Sequence, residues 1–435
     1  MKDSFTKSTL ITFFTRVATA FFTVVITALI ARTLGPKGQG VYSLAVLFPI
    51  ILLVFTSFGI NPSSVFFIGK GKYSPKQIFS SNFVSNFVIS ILTILIGLAV
   101  IFFFNERFFP EVDKQYLFLS LFFIPLTLFF ELGCQTLLGL QKIRRYNLIS
   151  FLQNLLFLIL IFIFLAGLDF GVTVAILAQI FSLFAVTIIV LFFAYREVGG
   201  FSFKMQKEYF KDSFSYGIKV SLGGIFNFLH YRIDLFLINI FLNPIAVGFY
   251  YAAARLAEGI WLFSNSASIV LFPRVASEKN ETNLKEFTPK VCRSVFFITL
   301  ILVILLFFFS EVIITLFYTK DFFESIRPFR ILLLGTLAIS VWQIMSNDLS
   351  ARGKPMINTY LVGASVIINI ILNIFWIPKW GIEGAAFATA ISYYFLLFAT
   401  LIFYSKISGN KIKEIVFLQR SDFAIYKNIL KRIKA

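Results

Sequence analysis

Residues 79–104 read FSSNFVSNFVISILTILIGLAVIFFF, with no charged side chain from end to end. Coiled as an α-helix at about 1.5 Å per residue, the stretch would reach roughly 39 Å, more than the ~30 Å hydrocarbon thickness of a bilayer. Working outward from it, comparable apolar runs bounded by charge, Gly or Pro lie near 8–34, 41–67, 116–139, 146–167 and 171–194. A second set lies near 213–241, 245–272, 289–317, 326–350, 356–378 and 383–405. Length alone would suggest two or three soluble domains, but apolar runs of more than about 18 residues take precedence over that reading. The predicted fold class is therefore all-α and integral to a membrane, with about twelve transmembrane helices.

Composition agrees. Hydrophobic residues make up 58% and charged residues 14% of the chain, against roughly 25% charged in a soluble globule. The sixty phenylalanines fall throughout the apolar runs, where facing lipid and packing between helices are their expected roles. Cys134 and Cys292, the two cysteines, and His230, the single histidine, support neither a disulfide framework nor a metal centre. The run at 8–34 is too long for a signal-peptide core and has no A-x-A-like cleavage site, so it is expected to remain as the first span.

The net charge of +18 is spread unevenly. Lys and Arg counted over alternate connections, both termini included, number 26 on one side and 7 on the other. The positive-inside rule then puts both termini in the cytoplasm, and such a distribution argues for membrane topology rather than nucleic acid. The halves also repeat. Gly40-Val41-Tyr42-Ser43-Leu44-Ala45 is echoed by Gly248-Phe249-Tyr250-Tyr251-Ala252-Ala253, and Gly171-Val172-Thr173-Val174-Ala175 by Gly384-Ala385-Ala386-Phe387-Ala388, at offsets of 208 and 213. Two six-helix lobes, 1–194 and 213–405, are expected. Because six is even, they should be related by a pseudo-two-fold axis along the membrane normal. Residues 195–212 form a basic, partly amphipathic linker expected along the cytoplasmic surface, and 406–435 a basic cytoplasmic tail drawn to lipid headgroups.

Ionised groups at the bilayer centre cost at least about 2.5 kcal/mol, so those inside spans are candidates for function. Among them are Arg16, Glu131, His230, Arg232, Asp234, Arg255 and Glu258. Arg255 and Glu258 are spaced i, i+3, and His230 and Asp234 i, i+4, so each pair shares a helix face and could form an ion pair. Arg16 has no carboxylate within helical reach. Arg16, Arg232 and Arg255 are expected to line a cationic cavity and receive phosphate oxygens. Glu131, His230, Asp234 and Glu258 are candidates for counter-ions or for coupling to a proton or sodium gradient. Lys219 and Arg274, near helix ends, read as topological anchors. Neither a GxxxxGK[ST] loop nor an HExxH motif is present. No cofactor, metal or catalytic residue is expected.

Ala31-Arg32-Thr33-Leu34-Gly35-Pro36, Gly38-Gln39-Gly40-Val41-Tyr42, Val247-Gly248-Phe249-Tyr250, Ala254-Arg255-Leu256 and Leu271-Phe272-Pro273 together resemble the oligosaccharide flippases. The chain is similar to Wzx-type and polysaccharide-transporter members of the multidrug/oligosaccharidyl-lipid/polysaccharide (MOP) exporter superfamily over nearly its whole length. The resemblance implies two six-helix lobes around a cavity that opens alternately to the two sides. It implies a polyprenyl-diphosphate-linked oligosaccharide as substrate, with membrane lipids and polysaccharide assembly proteins as partners. It also implies residence in the cytoplasmic membrane of a bacterium, with cavity arginines at Arg16 and Arg255. Lipid II flippases typically have fourteen helices, two more than expected here. A multidrug exporter of the same superfamily and a membrane enzyme of polysaccharide polymerisation are the alternatives. The short external connections disfavour the second.

Overall fold

The computed structural model describes residues 2–167, 171–278, 281–416 and 419; the expected tail beyond 419 lies outside them. The described residues contain helices and no strand. Eight helical stretches are long and apolar enough to cross a membrane. Two of these, Ile11–Thr56 and Pro355–Ser408, run 46 and 54 residues, roughly 70 and 80 Å of helix, far more than one crossing needs. Each is two helices joined at a glycine with positive φ, Gly35 (φ 63°) in α1 (Lys2–Thr56) and Gly381 (φ 58°) in α14 (Pro355–Ser408). L side chains avoid that backbone region and glycine does not. With α8 (Lys207–Phe241) and the pair α9 (Pro244–Glu258) and α10 (Trp261–Ser277), the described residues supply the twelve expected spans.

Four expected spans are interrupted, the fourth span of the chain between α4 (Lys114–Ser120) and α5 (Phe123–Gly139). The second breaks at Phe58 (φ 48°) and Gly59 (φ 62°) before α2 (Ile60–Lys70). The eighth breaks between Glu258 and Trp261, and the ninth, α11 (Glu281–Phe308), stops short of α12 (Ser310–Phe317). Other spans run longer than their apolar cores. For α3 (Pro75–Phe108) the reason is local, because Ser74 and Gln77 form a reciprocal capping box with Pro75 in the first turn.

The chain divides into two compact units, residues 1–252 with 315–324, and residues 253–314 with 325–435. In the first, α5 (Phe123–Gly139) packs on α2, α3 and α7 (Gly171–Val198), while α1 packs on α6 (Ile143–Gly167) and α7. Leu137, Ile149, Val186 and Val190 are fully buried between α5, α6 and α7. The expected linker is docked rather than loose. Ser202 and Gln206 donate backbone N–H groups to Ser80 and Ser81 Oγ of α3, each at 3.0 Å, and Phe201 packs on Phe83. Lys72 and Tyr73 both contact Asp212, whose carboxyl they hold below the usual range, the Lys72 hydrogen bond being the larger cause. Packing thus assigns α8 and the start of α9 to the first unit, whereas the sequence repeat would begin a second lobe at 213.

In the second unit α13 (Ile326–Ala351) is the hub, buried along most of its length against α10, α11 and α14. Each unit joins the fourth and sixth spans of its half through a glycine. A Cβ on Gly133 would lie 2.8 Å from Val190 of α7, and one on Gly335 3.0 Å from Ala390 of α14. Many large apolar side chains point outward, Phe103 and Phe308 among them. Such a surface is stable only where the surrounding solvent is hydrocarbon.

The repeated glycines meet each other. A Cβ on Gly40 would lie 1.7 Å from the Pro244 carbonyl oxygen, and one on Gly248 2.0 Å from that of Pro36. Backbones in such contact leave no room for any side chain. Gly40→Ala should therefore lower stability by roughly 1–3 kcal/mol. Gly69→Ala, whose Cβ meets nothing within 4 Å, should be neutral or stabilising. Thermal unfolding in detergent distinguishes these outcomes.

Candidate functional site

Arg16 lies about 21 Å along α1 from its first residue, is exposed, and forms no ion pair among the described residues. Glu131 of α5 lies three residues on from Leu128, whose carbonyl anchors a buried polar cluster. There Asn86 donates to Asn61 Oδ1 at 3.0 Å, Asn61 and Asn86 both donate to the Leu128 carbonyl, and Asn82 donates to Ser64 Oγ at 2.7 Å. Serving one helix's carbonyl from two others lets amide side chains cross-link α2, α3 and α5 where water is absent.

On α8, His230 and Asp234 are buried and Arg232 is half-buried. Asp234 accepts a hydrogen bond from Tyr250 Oη at 2.7 Å, and Arg232 donates to the Tyr231 carbonyl at 2.9 Å. Tyr250 belongs to the repeated motif, and its counterpart Tyr42 donates to Gln179 Oε1 at the same distance. Each copy thus uses its tyrosine to satisfy a polar group on another helix, a requirement wherever polar side chains are buried.

In the second unit the expected i, i+3 pair forms, with Arg255 Nη1 3.1 Å from Glu258 Oε2. Arg16 and Arg232 belong to the first unit and Arg255 to the second.

The profile of the family described as "Polysaccharide biosynthesis protein" matches residues 5–279, more than half of the chain. The chain belongs to this polysaccharide biosynthesis protein family. A second profile, MatE, matches residues 220–375. A curated relative, "Probable low-salt glycan biosynthesis flippase Agl15" of Haloferax volcanii, is 27% identical over 227 residues, 50% of this chain and 46% of that one. The chain spans about half the length of this relative and of two others that it matches. The solved structure of "Lipid II flippase MurJ, inward closed conformation" matches with a TM-score of 0.78 at 16% identity, covering 94% of this chain and 88% of that one. An inward-facing "multidrug resistance MATE family transporter of the MOP superfamily" matches with a TM-score of 0.70 at 17% identity, covering 90% and 94%. Identities this low speak to fold, and the fold is that of the MOP superfamily.

One ionic centre of this family member escapes a reading by apolar runs. Asp348 is fully buried near the end of α13, ion-paired to Arg352, and accepts from Thr288 Oγ1 at 2.5 Å and Tyr404 Oη at 3.4 Å. Arg352 counts as a loop cation when the span is ended at 350. The i, i+4 spacing of Asp348 and Arg352 was the available signal. Nearby, the buried Arg293 donates to the Glu414 carbonyl, tying α11 to α15 (Ile412–Val416). Removing one partner of a buried pair leaves an uncompensated charge, at about 3–5 kcal/mol. Arg352→Met should therefore destabilise strongly, and the double variant Asp348→Met/Arg352→Met should recover part of the loss in the same thermal assay.

Proposed function

We propose that the protein is a flippase that carries a polyprenyl-diphosphate-linked oligosaccharide, the repeat unit of a surface polysaccharide, from the cytoplasmic to the outer leaflet by alternating access. The family match over residues 5–279 carries this reading, since it encompasses Arg16, Arg232 and Arg255. A diphosphate crossing roughly 30 Å of hydrocarbon needs a cationic, polar route. Guanidinium groups supply it with donors matched to phosphate oxygens. Arg16, without an ion pair among the described residues, is the first candidate to receive the headgroup. For Arg255, Glu258 would serve as the counter-ion that makes an empty cationic site tolerable in the membrane.

In this reading the repeat forms two six-helix lobes, 1–194 and 213–405, with the termini and the basic segments 195–212 and 406–435 in the cytoplasm of a bacterium. Polysaccharide assembly proteins are the expected partners. Glu131, His230, Asp234 and Glu258 are the groups that a proton or sodium gradient would act on. The MatE match over 220–375 favours a second reading as a multidrug exporter. Such a protein would bind cationic, apolar compounds at carboxylates such as Glu131 and Asp234.

Reconstitution into vesicles with a lipid-linked oligosaccharide tests the choice by following external accessibility of the sugar. The protein should make the sugar accessible, and alanine at Arg16, Arg232 or Arg255 should slow this by about one to two orders of magnitude. That is the worth of one charge-assisted hydrogen bond, roughly 1.5–3 kcal/mol. Full activity in all three variants would sink the cationic route. Protein-dependent efflux of a cationic dye, lost on neutralising Glu131 or Asp234, would favour the exporter.

A further inference from the structure

A groove of about 490 Å³ runs between α10 and α11 in the second unit, and its two ends differ in chemistry. One end holds Arg274 and Lys290. The rest is lined by Phe263, Ala267, Val291, Val295 and Ile298, with Ser294 as the other polar residue. No carboxylate lines it, and neither cation forms an ion pair among the described residues. Arg274 is nevertheless held in place, its guanidinium 3.8 Å from the centre of the Phe287 ring. Stacking occupies one face of the guanidinium and leaves its edge N–H groups for an anion.

The dimensions match one leaflet. From Phe263 to Arg274 is about 16 Å along the helix, close to half of the ~30 Å hydrocarbon core. An apolar trough of that depth with two cations at one end has the polarity of a single phospholipid, acyl chain along the trough and phosphate at the rim. Lys290 also lines an adjoining cavity of about 420 Å³, which holds Lys285, Arg293 and Asn410 together with the carboxylates of Glu286 and Glu414. Asn410 is 7% exposed, and its Nδ2 is a buried donor with no partner. Buried donors are nearly always satisfied, but with Glu286 and Glu414 in the same cavity this one adds nothing to the anion site, which rests on Arg274 and Lys290.

We propose that the α10–α11 groove is a binding site for one anionic glycerophospholipid of the surrounding membrane, its phosphate held between Arg274 and Lys290 and an acyl chain lying along Ala267, Val291 and Val295. The site lies wholly within the second unit and does not depend on what the protein transports. Basic pockets between transmembrane helices commonly recognise lipid headgroups in this way.

The test uses the full chain in nanodiscs of mixed phosphatidylglycerol and phosphatidylcholine, with native mass spectrometry of the lipid that stays bound on release into detergent. Phosphatidylglycerol should be retained over phosphatidylcholine. The variant Arg274→Gln/Lys290→Gln should bind it roughly twenty-five-fold more weakly, about fivefold for each surface cation removed. Ala267→Trp, which fills the trough and leaves both cations in place, should also displace the lipid. Equal retention of the two lipids, or unchanged retention in both variants, would overturn the proposal. So would inorganic diphosphate competing the lipid off while Ala267→Trp has no effect, since the site would then be a free-anion site.

Discussion

Hydrocarbon offers no hydrogen bonds, so every peptide group within it has to find its partner inside the protein. That constraint makes helices the only regular secondary structure of the described residues. It also restricts where the chain can turn or break. Gly35 and Gly381 are such places, each allowing a reversal between two helices without a loop. Once the backbone is satisfied within each helix, little hydrophobic drive remains between helices, because lipid tails are as apolar as Leu. Association then rests on close approach and on side-chain hydrogen bonds. The Gly40–Pro244, Gly248–Pro36, Gly133–Val190 and Gly335–Ala390 contacts supply the first. The Asn61–Asn86 and Tyr42–Gln179 bonds supply the second.

Those two devices differ in how well a sequence displays them. The spans were legible because an uncharged run such as 79–104 has one stable solution in a bilayer. The doubling was legible because Gly40 and Gly248 stand in the same local pattern. Interruptions inside runs were not, since Phe58 with Gly59, and Gly259 with Ile260, are apolar and leave the hydropathy unbroken. The Asp348–Arg352 centre was missed for the opposite reason. It sits where an apolar run gives way to charge, and buried and solvated charges look alike there until Thr288 and Tyr404 are seen on the same carboxylate.

Among the candidate site residues, spacing was a good guide within one helix and a poor one between helices. Arg255 and Glu258 met as i, i+3 neighbours. Asp234 accepts a hydrogen bond from Tyr250, sixteen positions on. No periodicity on α8 alone could announce that, because it depends on how α9 enters. The Asn61, Asn82 and Asn86 cluster beside Glu131 likewise arises from three helices. From sequence it amounts to polar residues scattered in apolar runs.

The same logic accounts for where packing divides the chain. A linker by composition need not be a linker by mechanics. Residues 201–212 are pinned to the first unit by Ser80, Ser81, Phe83, Lys72 and Tyr73. Further on, Gly217 lies against Gly59 so closely that neither could carry a side chain, and Gly248 is locked on Pro36. Arg32 donates to the carbonyls of Leu316 and Phe317, and Tyr318 Oη to that of Ala252, which draws 315–324 into the same unit. Sequence repeats record how a chain was duplicated, whereas mechanical units follow the contacts that cannot be loosened at low cost. Two α-helices, α9 and α12, run across these boundaries, and α9 has Tyr250 bonded to Asp234 before the division and Arg255 paired to Glu258 just after it.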